Sequence, residues 1–289
     1  FNEVVAASTV LASGLRLQST SNGGAISPAL AGDVLQIDSV EITVTLSVAS
    51  ANLVRALTGV AVDINTAFLV VDPSAAEDVD TNQVAAITTS AALQASNFAA
   101  DLVPPVAVSF DLDLDSGTLT MHFDQPIDGA SLIPSNVTLQ SNSGAAPTTD
   151  YQLTGGVASS AVSTSVTITL SIDDLNEIKR LPLCAAIQFP EDNCFFSFPA
   201  GAISSATGLV VPAVPAGSAI AIANGDYAAD ETAPQMIAEG FRNFDLNSGQ
   251  ITLSFDETID RNSLNSALIT LASSHRGVSG ANSYNFSLE

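Results

Sequence analysis

The chain is predicted to be all-β, a row of antiparallel β-sandwich domains in tandem with one short helix per repeat, on three observations. Stretches of period-two alternation such as Thr118 to Phe123 and Ser165 to Leu170 are separated by turns rich in Gly, Ser and Asn. Only one stretch in the complete repeat carries helical spacing, too little to cover a parallel sheet. Finally, the chain restates itself. Phe1-Asn2-Glu3-Val4-Val5, Phe123-Asp124-Gln125-Pro126-Ile127-Asp128 and Phe255-Asp256-Glu257-Thr258-Ile259-Asp260 open three versions of one passage. Their spacings are 123 − 1 = 122 and 255 − 123 = 132 residues, a period of domain size.

Other positions keep the same register. Leu46-Ser47-Val48 with Arg55 matches Leu170-Ser171-Ile172 with Lys179 at a constant offset of 124. Asp101-Leu102-Val103-Pro104-Pro105 recurs as Asp230-Glu231-Thr232-Ala233-Pro234, and Asp113-Leu114-Asp115-Ser116-Gly117 as Asp245-Leu246-Asn247-Ser248-Gly249. Tyr151-Gln152-Leu153 reappears as Tyr284-Asn285-Phe286. Residues 1–100 therefore read as a repeat lacking its first strands, 101–229 as a complete repeat, and 230–289 as the front half of a third. Both outer repeats are expected to need further chain, which makes this a segment of a longer protein.

Along the complete repeat, Pro104-Pro105 forms a stiff entrance. Val106 to Phe110 leads into an Asp-Leu-Asp-Leu-Asp-Ser-Gly turn, and Thr118 to Phe123 follows as a strand that Pro126 and Gly129 close. Asn136 to Gln140, Tyr151 to Leu153 and Ser165 to Leu170 are the next strands. Phe123, Val137, Leu139, Ile168 and Leu170 should share one buried face. The helix comes next. Ser171, Asp173 and Asp174 offer N-cap side chains, and Ile172, Leu175, Ile178 and Leu181 fall three apart. Lys179 and Arg180 sit where the helix dipole favours cations, and Pro182 stops the helix. Ala185 to Phe189, Cys194 to Phe198 and Ser218 to Ala223 supply the last strands.

Composition narrows the function. Hydrophobic residues make up 46% of 289, enough for real cores, so this is no disordered acidic tail. Thirty acidic residues against seven Lys and Arg give −23, which excludes the basic clusters that nucleic acid and anionic membranes require. No apolar run reaches membrane-spanning length: Leu209 to Ala223 is broken by Pro212, Pro215, Gly217 and Ser218. Cys184 and Cys194 have no counterparts in the other repeats. A disulfide between them is the preferred reading over two buried thiols, and it points outside the cytosol.

At these residues the chain resembles the immunoglobulin-like repeats of very large surface proteins. The Asp230, Thr232, Pro234 opening, the Asp-Leu-Asn-Ser-Gly turn and the strand Ile251 to Asp260 are similar to the bacterial S-layer type of Ig-like domain. The Asp-Asp-Leu-Asn-x-Ile-Lys helix after Thr167-Ile168-Thr169-Leu170-Ser171 is similar to arrays in surface proteins of algae and other protists, including filaments such as flagellar hairs. That resemblance implies a scaffold or adhesive role at the cell surface, with no active site. The first repeat departs from it, since Ala49-Ser50 replaces the Asp pair.

Candidate chemistry is sparse. Asp111, Asp113 and Asp115 before Gly117 form an alternating carboxylate run that could ligate calcium, although a polar β-turn explains them without an ion. His122 is expected on a solvent face and His275 in a loop, neither within a catalytic motif. The pair Asp173 and Asp174 suits a helix N-terminus better than glycoside hydrolysis. Asn136-Val137-Thr138 and Asn285-Phe286-Ser287 are N-glycosylation sequons, placing candidate glycans on Asn136 and Asn285. The expected function is that of an extracellular structural glycoprotein forming the shaft or wall of a surface filament or layer. Its partners would be neighbouring copies of the same or related repeat chains. The alternative is the stalk of an adhesin whose binding head lies elsewhere; an enzyme is the weakest of the three.

Overall fold

The computed structural model describes residues 1–184, 193–223, 225–272 and 285–287. The expected strand Ala185 to Phe189, Tyr284 and His275 lie outside them. The fold is mostly strands, in several sheets, with two α-helices among the described residues. It divides into two compact units, residues 1–230 and 231–289, so segments 1–100 and 101–229 lie together in the first.

The first segment holds β1 (Leu15–Gln18), β2 (Gly32–Val34), β3 (Val44–Leu46), α1 (Val48–Arg55), β4 (Phe68–Val71) and β5 (Leu93–Gln94). The second opens with β6 (Ala107–Asp113), β7 (Thr118–Asp128), β8 (Thr138–Gln140), β9 (Asp150–Gln152), β10 (Val157–Ala158) and β11 (Val162–Thr169). It continues with α2 (Ile172–Arg180), β12 (Phe195–Ser197), β13 (Ser204–Ser205), β14 (Ile220–Ala221) and β15 (Tyr227–Ala228). The second unit contains β16 (Met236–Asp245), β17 (Gln250–Phe255), β18 (Thr270–Ala272) and β19 (Asn285–Ser287).

In residues 101–229 two sheets enclose one core. One runs β10-β11-β7-β6-β15 with β13 also on β7, the other β14-β12-β8-β9. Alternation puts Phe110, Leu112, Leu119 and Met121 inside from the first sheet, and Leu139 and Phe196 from the second, all fully buried. Phe110 and Phe196 meet across the sheets with ring centroids 4.8 Å apart. Each such side chain contributes about 1.5–3 kcal/mol by leaving water. Phe123, Val137, Leu139, Ile168 and Leu170 all belong to this core, as the alternation required.

Three local expectations need correction. The strand before the acidic turn reaches Asp113, because Asp111 and Asp113 alternate with buried Leu112 and Asp113 pairs with Thr118. The turn proper is tighter, and Gly117 supplies the positive φ it needs (68°), as Gly249 does in β16–β17 (67°). Second, β7 runs through Pro126 to Asp128. Its pairing with β11 jumps from His122–Ser165 to Ile127–Ser163, and no ladder uses the missing Pro N–H inside this bulge. Third, one strand pair is parallel: β15 returns beside β6, with Tyr227 opposite Leu112. It comes back from the other sheet, the long crossover a parallel pair requires.

The helices form as the capping pattern dictates. Ser47 caps α1 by accepting from Ser50 N, and Ser171 caps α2 by accepting from Asp174 N. Registers also recur at the sequence offsets. Leu17 opposes Leu69 where Leu139 opposes Phe196 (139 − 17 = 122; 196 − 69 = 127). Val34 opposes Val44 where Ala158 opposes Ile168, both 124 residues on. In the second unit Phe286 faces Leu271 as Tyr151 faces Leu139, so Phe286, rather than Tyr284, takes the Tyr151 place. The paired positions are 286 − 271 = 15 apart there against 151 − 139 = 12, three residues more.

Candidate functional site

One polar cluster of the first unit lies where residues 1–100 meet 101–229. Arg55, in the last turn of α1, places Nε 2.6 Å from Asp101 Oδ2, with both side chains about one-third exposed or less (35% and 26%). Its Nη1 donates to Asn52 Oδ1 at 3.2 Å, and Asn52 Nδ2 donates to the Asp124 carbonyl at 2.9 Å. Asp101 Oδ1 accepts from Val103 N at 3.0 Å, which fixes the bend into Pro104-Pro105. Beneath this lattice lies a cavity of about 320 Å³ walled by Val54, Leu57, Val60, Leu102, Pro126 and Leu209. The helix C-terminus favours the cation and the cation holds the carboxylate.

The same pair appears again. Lys179, 124 residues after Arg55, sits in the last turn of α2 with Nζ 2.8 Å from Asp230 Oδ2. Asp230 lies 129 residues after Asp101. The sequence aligned each residue with its counterpart, but alignment alone does not join a cation to an acid 46 or 51 residues away.

A second recurring element was also missed. Asp174 is fully buried, although Ser171 is the cap and Asp173 stays exposed. The carboxylate of Asp174 accepts from Tyr151 Oη (2.7 Å), Thr154 Oγ1 (2.7 Å), Thr154 N (2.9 Å) and Gly155 N (3.2 Å). Burial pushes its pKa up, but the bonds from Thr154, Tyr151 and Ser171 outweigh burial and hold it below the usual aspartate value. Burial, then the Asp174 bond and charge, pushes Tyr151 up to about 12. In the first segment buried Ser50 stands 124 residues before Asp174, and its Oγ accepts from Ala31 N at 2.7 Å. Ala31 is the counterpart of Gly155. The Ala49-Ser50 departure therefore keeps the clamp in a smaller, uncharged form.

Buried glutamines repeat as well. Gln18 Nε2 donates to the carbonyls of Thr20 and Thr89, and Gln140 Nε2 to those of Asn142 and Ala216. Each ties its strand to a distant loop, which a lone Gln in an alternating strand does not reveal.

The candidate calcium ligands Asp111 and Asp113 lie on β6, and Asp115 lies in the turn after it. His122 Nε2 donates to Asp111 Oδ2 at 2.9 Å, on the outer face of β6 and β7. Asp113 Oδ1 accepts from Ser116 N and Asp115 N, which lowers its pKa. Among the described residues no group of three or more His, Cys, Asp or Glu could hold a metal ion. Asp245 repeats the Asp113 turn, accepting from Asn247 N at 2.8 Å. Cys184 and Cys194 are joined and buried. Asn136 ends a short 3₁₀ turn, half-exposed before β8, and Asn285 opens β19. No described helix is long and apolar enough to cross a membrane.

No protein-family model, no curated protein and no solved structure matches this chain.

Proposed function

We propose that this chain is part of an extracellular structural protein in which tandem immunoglobulin-like sandwiches build the shaft or wall of a surface filament or layer. The observation that carries the reading is the recurrence of the helix-end pair, Arg55 with Asp101 and Lys179 with Asp230. Each pair holds the residue at which the sequence passes to its next restatement. Shared strand registers and the Ser50 and Asp174 clamps support equivalent repeats. An array that fixes its own junctions resists bending, which a shaft requires. The Cys184–Cys194 disulfide supports an oxidising compartment, and −23 of net charge keeps a crowded assembly soluble. In that compartment Asn136 and Asn285 are the glycan acceptors, and the partners are copies of the same or related chains.

Antibody raised against residues 101–229 and applied to intact, unpermeabilised source cells tests this. Immunogold along surface filaments or a continuous surface layer is the expected image. Label on isolated stalks beneath a separate head favours the adhesin reading, and label confined to the cell interior contradicts both.

A further inference from the structure

After each helix the chain forms the neck of a loop, and the two necks match. Ala61, six residues after Arg55 (61 − 55 = 6), holds a φ of 53° and donates its N–H to the Thr66 carbonyl at 2.7 Å. Cys184, five residues after Lys179 (184 − 179 = 5), holds a φ of 47° and donates to the Asn193 carbonyl at 3.1 Å. A positive φ is uncommon outside glycine, and among the described non-glycine residues only Thr81 joins these two. Val60 and Leu183, just ahead, are each 1% exposed. The residue after each acceptor closes the neck, and both are buried: Ala67 in the first segment, Cys194 in the second. The offset 194 − 67 = 127 is that of Phe196 from Leu69. Where the second segment bridges Cys184 to Cys194, the first therefore places Ala61 and Ala67.

In the first segment the neck also touches the helix end. Val60, Ala61 and Val62 form one wall of the cavity of about 320 Å³ whose other walls include Val54 and Leu102. Arg55 and Asp101, the ion pair that joins helix to connector, line the same cavity. Openings of the neck thus loosen the support of both partners. Hydrogen bonds alone hold this neck, among them the capping box of Asp63 and Thr66. A disulfide across the same place removes the open states of the loop.

We propose that this neck is a conformational lock on the helix-end ion pair, left open beside Arg55 and Asp101 and closed beside Lys179 and Asp230 by the Cys184–Cys194 bridge. The strands stay folded in either state. What changes is how often the helix end and its connector open, so the two ion pairs differ in stiffness and the second responds to reductant. This rests on the repeat register proposed above.

Moving the bridge from one segment to the other in the full chain tests the proposal. The variant carries Ala61→Cys and Ala67→Cys together with Cys184→Ala and Cys194→Ala. Alanine at the two vacated places is what the first segment already holds. Oxidised glutathione closes the new bridge by thiol–disulfide exchange, taking two protons and two electrons from the thiols and leaving as two glutathione molecules. Amide hydrogen exchange then reports on Ala56 N–H, bonded to the Asn52 carbonyl, Val103 N–H, bonded to Asp101 Oδ1, and Leu181 N–H, bonded to the Glu177 carbonyl. Against wild type, exchange should be about tenfold slower at Ala56 and Val103 and about tenfold faster at Leu181. Thiols that stay free would show that the necks differ, overturning the proposal and the register at this place. A bridge that forms and leaves Ala56 and Val103 unchanged overturns the lock while the register stands. Wild type alone supplies a check independent of how the variant folds: reduction should speed Leu181 exchange about tenfold, and an unchanged rate overturns the lock.

Discussion

Arg55 Nε sits 2.6 Å from Asp101 Oδ2 across 46 residues of sequence, and Lys179 Nζ sits 2.8 Å from Asp230 Oδ2 across 51. The two pairs occupy equivalent places, so the cation at the end of each helix and the acid ahead of the next passage act together.

Arg55→Ala or Asp101→Asn should each lower stability by about 1 kcal/mol, the scale of a partly exposed ion pair. The loss should shrink in high salt, and the double variant should cost less than the sum of the singles. Urea titrations of the four proteins measure this coupling. Strict additivity would mean that the pair is a contact without energetic consequence.

Asp174→Asn faces Gly155 N or Thr154 N with a second donor, and should destabilise by about 2–4 kcal/mol, whereas Tyr151→Phe should cost about 1 kcal/mol. Thermal melts decide. A shift of Asp174→Asn no larger than that of Asp173→Asn would remove the clamp from the account.

The same cluster sets the pH dependence. Asp174 titrates below its ordinary value when folded, so its contribution is full above the unfolded aspartate range and is lost as pH falls through the depressed value. Tyr151 titrates above its ordinary 10.0, at about 12, so its contribution is full below 10 and is lost as pH rises toward 12. Melting temperature should fall at both extremes, and in Asp174→Asn the acid limb should flatten.

Reducing Cys184–Cys194 opens a short loop, so it should cost at most about 2–3 kcal/mol and leave the fold intact. Circular dichroism before and after reduction checks this; loss of the strand signal would show that the bridge holds more than its own loop.

Calcium and a chelator should leave the melting temperature of this chain unchanged. Asp111 is engaged by His122 and Asp113 by two backbone N–H groups, a polar turn that accounts for both carboxylates without an ion. A calcium-dependent rise abolished by Asp113→Asn would overturn that.

Much of the fold was legible because strand alternation and caps are local. Thr118 to Phe123 could face only one way, and Ser171 before Ile172 could only begin a helix. Pro126 misled because a bulge, a property of two strands together, makes a proline harmless. Asp174 looked like a cap because its four donors come from residues 151–155, which helical spacing does not reach. The junction was half-legible: Arg55, Lys179, Asp101 and Asp230 all stood out as matched positions. Their pairing across the sequence depends on how the crossing helix returns to the connector, and only the folded chain supplies it.

Pulling a single molecule of the whole chain from its ends tests the tandem reading most directly. On that reading, segments 1–100 and 101–229 should unfold in separate events. At about 3.5 Å per extended residue, the first 100 residues release about 35 nm and residues 101–229, less the disulfide loop, about 42 nm. One event releasing about 77 nm would show a single domain, and would contradict the tandem array on which the proposed function stands.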